Sequence, residues 1–90
     1  MKYAILDGSC IKDKESLHCV TKYALRFPDY YGKNLDALYD CLTDITEELT
    51  ILVTDAASIE DVLGDYAGRF FRTIEDAAEE RPNLHFRVYR

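Results

Sequence analysis

The chain has 90 residues, of which 48% are hydrophobic and 12% aromatic. This is enough for one domain over residues 1–90, and it excludes both a disordered chain and two separate cores. The net charge of −6 disfavours direct binding to nucleic acid, which attracts basic proteins.

The first half of the sequence predicts one strand and two helices. Residues 2–7 (KYAILD) are a short apolar run before an Asp-Gly turn, which is typical of a buried strand. Asp13 can cap a first helix, which must end near Phe27 because the residue before a proline avoids the α region. The loop PDYYGK (residues 28–33, here the tyrosine loop) leads to Asn34, a good cap for a second helix.

The second half predicts two further helices and two strands. Residues 49–54 (LTILVT) are a β-branched run of strand length. Ser58, with Asp61 three residues later, resembles a capping box that opens a short third helix. Apolar residues at helical spacing predict a longer helix over residues 66–80, and the alternating pattern over residues 84–89 predicts a last strand.

The predicted order of elements is therefore β-α-α-β-α-α-β. Strands that are joined through helical crossovers form a parallel sheet, because a parallel connection must cross back over the sheet. Right-handed crossovers would place the helices on one face, and the alternation in the last strand fits a sheet whose other face is partly exposed to water. We expect an α/β fold with a three-stranded parallel β-sheet packed against helices.

The excess negative charge is concentrated in residues 28–48. This segment carries six acidic side chains and one lysine, a balance of −5, whereas the other 69 residues carry eleven acidic and ten basic side chains, a balance of −1. Either a solvated acidic surface or a patch that is complementary to a basic partner accounts for this concentration.

Five side chains of the second predicted helix share one face, because they fall at positions i, i+3, i+4, i+7 and i+8. This acidic helix face consists of Asp36, Tyr39, Asp40, Thr43 and Asp44. The helix dipole favours an acid in the first turn, but two acids at i and i+4 repel each other, so helix stability does not explain the arrangement.

Two tyrosines, Tyr30 and Tyr31, precede this helix, and Gly32 follows them. Tyrosine is frequent where proteins bind each other, because it supplies a large contact area at a low entropic cost. Carboxylates rimmed by aromatic rings suit a cavity lined by Arg and Lys, where they can accept paired hydrogen bonds. The pattern therefore favours a surface that binds a basic protein.

The run PDYYGKNLDALYDCLT, residues 28–43, closely resembles the signature of the barstar family, the intracellular inhibitors of the secreted bacterial ribonuclease barnase. The resemblance implies a 1:1 ribonuclease inhibitor whose acidic helix and preceding loop occlude the active site of the nuclease. In this reading Asp40 occupies the pocket for an RNA phosphate and Tyr30 packs against a catalytic histidine of the nuclease. The contact set that the resemblance implies is Tyr30, Tyr31, Gly32, Asn34, Leu35, Asp36, Tyr39, Asp40 and Thr43.

The sequence departs from the best-known member of that family at several candidate contacts. Tyr39 stands in place of Trp, Asp44 and Ile45 in place of Gly and Trp, and Asp76 of the last helix in place of a contacting Glu. Asp44 and Asp76 are therefore added to the candidate contacts. The target could accordingly be a basic ribonuclease or a different basic toxin, for which the chain would serve as an immunity module.

Other kinds of site have weaker support in the sequence. Asp36 and Asp40 could be paired catalytic carboxylates or metal ligands, but no histidine is near them in the sequence. His18 and His85 lack the spacing of a zinc site, and three cysteines without a Cys-x-x-Cys pair do not form a disulfide framework. No apolar run approaches the roughly 20 residues of a membrane-spanning helix. No signal peptide is visible. We expect a cytoplasmic monomer without enzymatic activity, cofactor or metal.

Overall fold

The structure, a computed structural model, describes residues 2–90 and has the predicted order of strands and helices. The elements are β1 (Lys2–Asp7), a short 3-10 turn (Gly8–Cys10), α1 (Lys14–Leu25), α2 (Leu35–Thr43), β2 (Leu49–Thr54), α3 (Ala56–Leu63), α4 (Asp65–Glu80) and β3 (Leu84–Val88). The three strands form one sheet in the order β1-β2-β3, and both neighbouring pairs are parallel. The α/β prediction is confirmed.

The core lies between the sheet and the helices. On β2, Ile51 and Val53 are fully buried, and the same face of β1 contributes Leu6. At the two outer strands the opposite face is exposed, for example at Ile5 and Arg87, which lie level with each other across β2. This difference between the two faces explains the alternating pattern of the last strand.

Two of the predicted helix starts are confirmed by their hydrogen bonds. Asp13 accepts the backbone N–H of Ser16 at 2.7 Å, and the Ser16 hydroxyl oxygen accepts the backbone N–H of Asp13 at 3.0 Å. Asn34 accepts the backbone N–H of Ala37 at 2.8 Å at the start of α2. The end of α1 comes two residues before Phe27, where Arg26 adopts a left-handed conformation (φ 56°) that closes the last turn.

The predicted start of α3 is wrong. The helix begins at Ala56 rather than after Ser58, and the Ser58 hydroxyl instead donates to the carboxylate of Asp55 at 2.8 Å. The earlier start is stabilised by a contact that is distant in sequence, because the backbone N–H of Ala56 donates to the carbonyl oxygen of Tyr89 at 3.0 Å. This bond satisfies one of the first-turn N–H groups that a capping side chain would otherwise satisfy.

We expect Gly8→Ala to lower the free energy of unfolding by about 1–3 kcal/mol or more, because the new methyl group would be forced into a packed region. An added Cβ at Gly8 would overlap the carbonyl oxygen of Asp55 and lie 2.8 Å from that of Thr54. The matched control is Gly68→Ala, where the added methyl group meets open space and alanine favours the helix by about 1 kcal/mol. Urea unfolding of both variants measures the difference. Equal stabilities would contradict this packing.

Candidate protein-binding surface

Helix α2 separates an apolar side from an acidic side. Leu38 and Leu42 are fully buried, and α2 packs against α4. The three carboxylates of the acidic helix face, Asp36, Asp40 and Asp44, are exposed, and its other two members lie half-buried beside them. The structure therefore brings the five predicted residues onto one accessible face of α2.

The charges of this face are not compensated by nearby basic groups. Within residues 2–90, no basic side chain lies within ion-pair distance of its three carboxylates, whereas the other three acids of residues 28–48 each have a partner. Those three pairs are Asp29 with Lys22 at 3.5 Å, Glu47 with Lys2 at 2.9 Å, and Glu48 with His85 at 3.0 Å. Within residues 28–48, the negative charge that no ion pair compensates thus lies along α2.

The environment of Cys41 on α2 raises the pKa of its thiol. Its side chain is half-buried on α2, between the apolar and acidic sides. Burial raises the pKa of its thiol, and the carboxylates of Asp44 and Asp40 raise this pKa further because they disfavour a second anion. The thiol therefore stays protonated at neutral pH, and Cys41 adds no charge to the acidic helix face.

The tyrosine loop presents one aromatic ring rather than the two that the sequence predicts. Tyr30 is 84% exposed, but Tyr31 is only 5% exposed. The Tyr31 ring packs against Phe27, with 5.0 Å between ring centroids, and its hydroxyl lies 2.6 Å from Nδ1 of His18. The turn in which the N–H of Tyr31 donates to the carbonyl oxygen of Pro28 sends the two rings in different directions. Tyr31 is therefore an anchor of the loop, and in this conformation its ring is buried rather than presented on the surface.

Three further candidate residues shape the start of α2. Asn34 caps the helix and also donates from Nδ2 to the carbonyl oxygen of Gly32 at 3.3 Å. A Cβ on Gly32 would lie 3.3 Å from that same Nδ2 atom, so little space remains for a side chain. Leu35 is half-buried and packs against the core. The backbone of Gly32 and the Asn34 side chain are exposed, whereas Leu35 is only partly accessible to a partner.

The far end of the candidate surface is less uniform. The Thr43 hydroxyl donates to the carbonyl oxygen of Tyr39 at 3.0 Å, with the carbonyl oxygen of Asp40 also within reach at 3.1 Å. Asp44 is the C-terminal cap of α2, where the helix dipole disfavours an anion. Asp76 lies on α4 rather than on α2, is exposed, and is 3.6 Å from Nε of Arg72. Its charge is thus partly compensated.

His18 is a residue whose place the sequence did not predict. It is 1% exposed, and its two ring nitrogens contact the hydroxyl groups of Tyr31, at 2.6 Å, and Tyr66, at 2.7 Å. The sequence does contain one indication of this role, because His18 follows Leu17 on the buried side of α1. A histidine in that position needs hydrogen-bond partners inside the protein. This contact joins the tyrosine loop to the core.

We expect the free energy of unfolding to fall as the pH drops below about 6.5, because burial and then the charge of Lys33 lower the pKa of His18 below its ordinary value of 6.5. The unfolded chain therefore binds a proton in a pH range in which the folded chain does not. The contribution of His18 to the free energy of unfolding is fully present above pH 6.5, and below this pH it is lost by at most about 1.4 kcal/mol per pH unit. Lys14 and Arg69, which lie over the Tyr66 ring, add positive charge nearby.

Urea unfolding between pH 7.5 and 5.5 measures this effect, above the range in which ordinary carboxylates titrate. His18→Gln should flatten the slope. An unchanged slope in His18→Gln would assign the acid sensitivity to other groups.

Residues 2–90 contain neither a metal-binding cluster nor a membrane-spanning helix. No group of three or more His, Cys, Asp or Glu side chains in this part of the chain could hold a metal ion. None of the helices over the same residues is long and apolar enough to cross a membrane. All three cysteines are free thiols.

Comparison with known proteins connects this surface to a family. The family model described as "Barstar (barnase inhibitor)" matches residues 1–89. A protein of Bacillus subtilis (strain 168), named "Putative ribonuclease inhibitor YrdF", is 42% identical over 81 residues, which cover 89% of this chain and 89% of that protein. The members of the family are inhibitors rather than enzymes. With the parallel sheet, the exposed acidic helix and the family model agreeing over nearly the whole chain, this protein belongs to the barstar family.

Proposed function

We propose that the protein is a stoichiometric inhibitor of a basic ribonuclease, which it binds 1:1 and whose active site it occludes. The observation that carries this proposal is the row of three exposed carboxylates on α2, which make no ion pair within residues 2–90, together with the exposed ring of Tyr30. We further propose that it acts as a cytoplasmic monomer of one domain, so that it protects the cell that makes the nuclease.

The chemistry of the target explains why carboxylates serve this purpose. An enzyme that cleaves RNA must attract a polyanion, so its active site carries basic side chains that bind phosphate groups. Asp36, Asp40 and Asp44 rise about 6 Å from one to the next along the helix axis, and each can therefore meet a different cation. Asp40, at the centre of the row, is the residue that we place in a phosphate pocket.

The surrounding side chains suit the rim and the base of such an interface. Tyr30 can lay its exposed ring on an apolar or aromatic group of the nuclease, and Tyr39 supplies a second ring beside Asp40. The exposed Gly32 backbone and Asn34 side chain lie between the loop and α2, where they can donate or accept hydrogen bonds. Leu35, Thr43 and Asp76 complete the proposed contacts at the edges.

A second target class has one observation in its favour. The unpaired charge continues to the end of α2, where Asp44 stands in place of a glycine of the best-known family member. A partner with an additional cation at that position would be complementary to this end of α2. A basic toxin that does not cleave RNA is therefore the alternative target.

Titration of barnase with the purified protein tests the proposal. RNA cleavage, followed with a fluorogenic substrate, should fall linearly to zero at one inhibitor per enzyme. Asp61→Ala should inhibit equally, because Asp61 is exposed on α3 and makes no ion pair within residues 2–90. Unchanged cleavage at a large excess of inhibitor, and likewise with other basic ribonucleases, would favour the alternative target.

A further inference from the structure

Three separate segments of the chain meet at the buried ring of His18. The ring belongs to α1, and its two nitrogens contact the hydroxyl groups of Tyr31 in the tyrosine loop and Tyr66 in the first turn of α4. The two tyrosines stand 13 and 48 residues after His18 in the sequence. Two consecutive hydrogen bonds between side chains thus connect α4 to the loop that carries Tyr30.

The hydrogen bonds of this chain can all be satisfied in one orientation. A neutral imidazole has one N–H donor and one nitrogen acceptor. Tyr31 is buried and its hydroxyl has no second partner within residues 2–90, so its proton must go to Nδ1 of His18. Nε2 then carries the hydrogen and donates to the hydroxyl oxygen of Tyr66. Tyr66 is only half-buried, so its own proton can reach water. The reverse orientation would leave the Tyr31 proton buried without an acceptor, which is unfavourable.

The Tyr66 end of this chain rests on a rigid part of the molecule. Ala67 and Phe70, the next buried residues of α4, lie in the core, and the Phe70 ring also contacts the His18 ring edge-on, with 6.3 Å between centroids. The Lys14 ammonium group lies 4.5 Å above the centre of the Tyr66 ring. The position of the Tyr66 hydroxyl is therefore fixed from α4 and α1 together.

The tyrosine loop has few other attachments that could perform this role. Within the loop, the turn bond from Tyr31 to Pro28 is local. The ion pairs that link the loop to α1 are Asp29 with Lys22 at 3.5 Å and Lys33 with Glu15 at 3.8 Å, and the carboxylate of each pair is exposed. Exposed ion pairs of this kind contribute little to order. The burial of Tyr31 against Phe27 and His18 is thus the main contact that holds the loop to the core.

We propose that Tyr66 is a positioning residue for the partner-binding loop: through His18 it holds Tyr31 in the core, and this fixes where Tyr30 and the start of α2 are presented. Its effect on affinity rests on the proposed function, whereas its effect on loop order is a property of the free protein. Tyr66 is not among the candidate contacts of the interface, so we expect it to affect the partner through this series of hydrogen bonds.

Amide hydrogen exchange of Tyr66→Phe, in the full chain and without a partner, tests the proposal. The change keeps the ring and removes only the hydroxyl group. We expect the amide of Tyr31 to exchange faster by up to about tenfold, the factor that corresponds to one hydrogen bond. The amide of Ile51 in the central strand should change much less. Tyr23→Phe, a change at a tyrosine that is 89% exposed, should alter neither rate.

Two results would overturn the positioning role. One is an unchanged exchange rate at Tyr31, and the other is an equal acceleration at Tyr31 and Ile51, because the latter indicates a loss of overall stability alone. Nitrogen NMR of the His18 ring gives an independent reading: we expect hydrogen on Nε2 and none on Nδ1 in the unchanged protein. The opposite tautomer would contradict the chain of donors.

The consequence for binding is measured separately with barnase as the probe. The complex of Tyr66→Phe should dissociate faster than that of the unchanged protein, by up to about tenfold. A looser loop with an unchanged dissociation rate would overturn the proposed effect on affinity. If the unchanged protein does not bind barnase, the proposed target fails, and the exchange experiment still decides the role of Tyr66.

Discussion

Asp40→Ala is expected to weaken the complex with the ribonuclease by about 3–5 kcal/mol, or about 10²–10⁴-fold in Kd. The reason is that cations of the active site, once desolvated by the rest of the interface, lose their counter-charge and remain buried without a partner. Isothermal titration with barnase as the probe measures the change. Asp61→Ala, which removes an exposed carboxylate of α3, is the matched control and should leave Kd nearly unchanged.

The loss should come from binding rather than from folding. The Asp40 carboxylate is exposed and makes no ion pair within residues 2–90. It lies one helical turn from the carboxylate of Asp36, and the two like charges repel each other. Its removal should therefore leave the free energy of unfolding unchanged or raise it by a few tenths of a kcal/mol. Equal affinities of Asp40→Ala and Asp61→Ala would remove Asp40 from the centre of the interface.

The second large effect concerns the rate of association. With a balance of −5 over residues 28–48, association with a basic partner should be accelerated by long-range attraction and should slow by about 10–100-fold from low to high salt. Dissociation should change much less, because contacts that are already formed are screened less than separated charges. Stopped-flow measurements over a series of salt concentrations give both rates.

A pair of charge variants assigns this effect to a part of the surface. Asp44→Asn should reduce the dependence of the association rate on salt, whereas Asp61→Asn should change it less, because Asp61 lies on α3 outside the acidic segment. An association rate that stays constant between low and physiological salt would contradict a basic partner.

The order of elements and the acidic helix face could be predicted because they depend on short-range patterns. The leucines of α2 recur at helical spacing, and Asn34 marks its start, so the positions of Asp36 and Asp40 on the opposite face follow from geometry. The same holds for the strands, whose β-branched and alternating runs are local signals.

The features that the sequence did not predict depend on contacts between distant residues. Tyr30 and Tyr31 are identical in type and adjacent, so nothing local separates the exposed ring from the buried one. The difference arises from His18 and Phe27, which form the cavity that takes Tyr31. The start of α3 differs from its prediction for the same reason, because the hydrogen bond that satisfies its first turn comes from Tyr89, 33 residues later in the sequence.

The central claim is that the acidic helix face and the tyrosine loop enter the active site of the nuclease. Amide hydrogen exchange of the protein, free and bound to barnase, tests it most directly. We expect slower exchange over residues 30–44 in the complex, with the outer strands β1 and β3 unchanged. Protection at β1 or β3 without protection of α2 would contradict it.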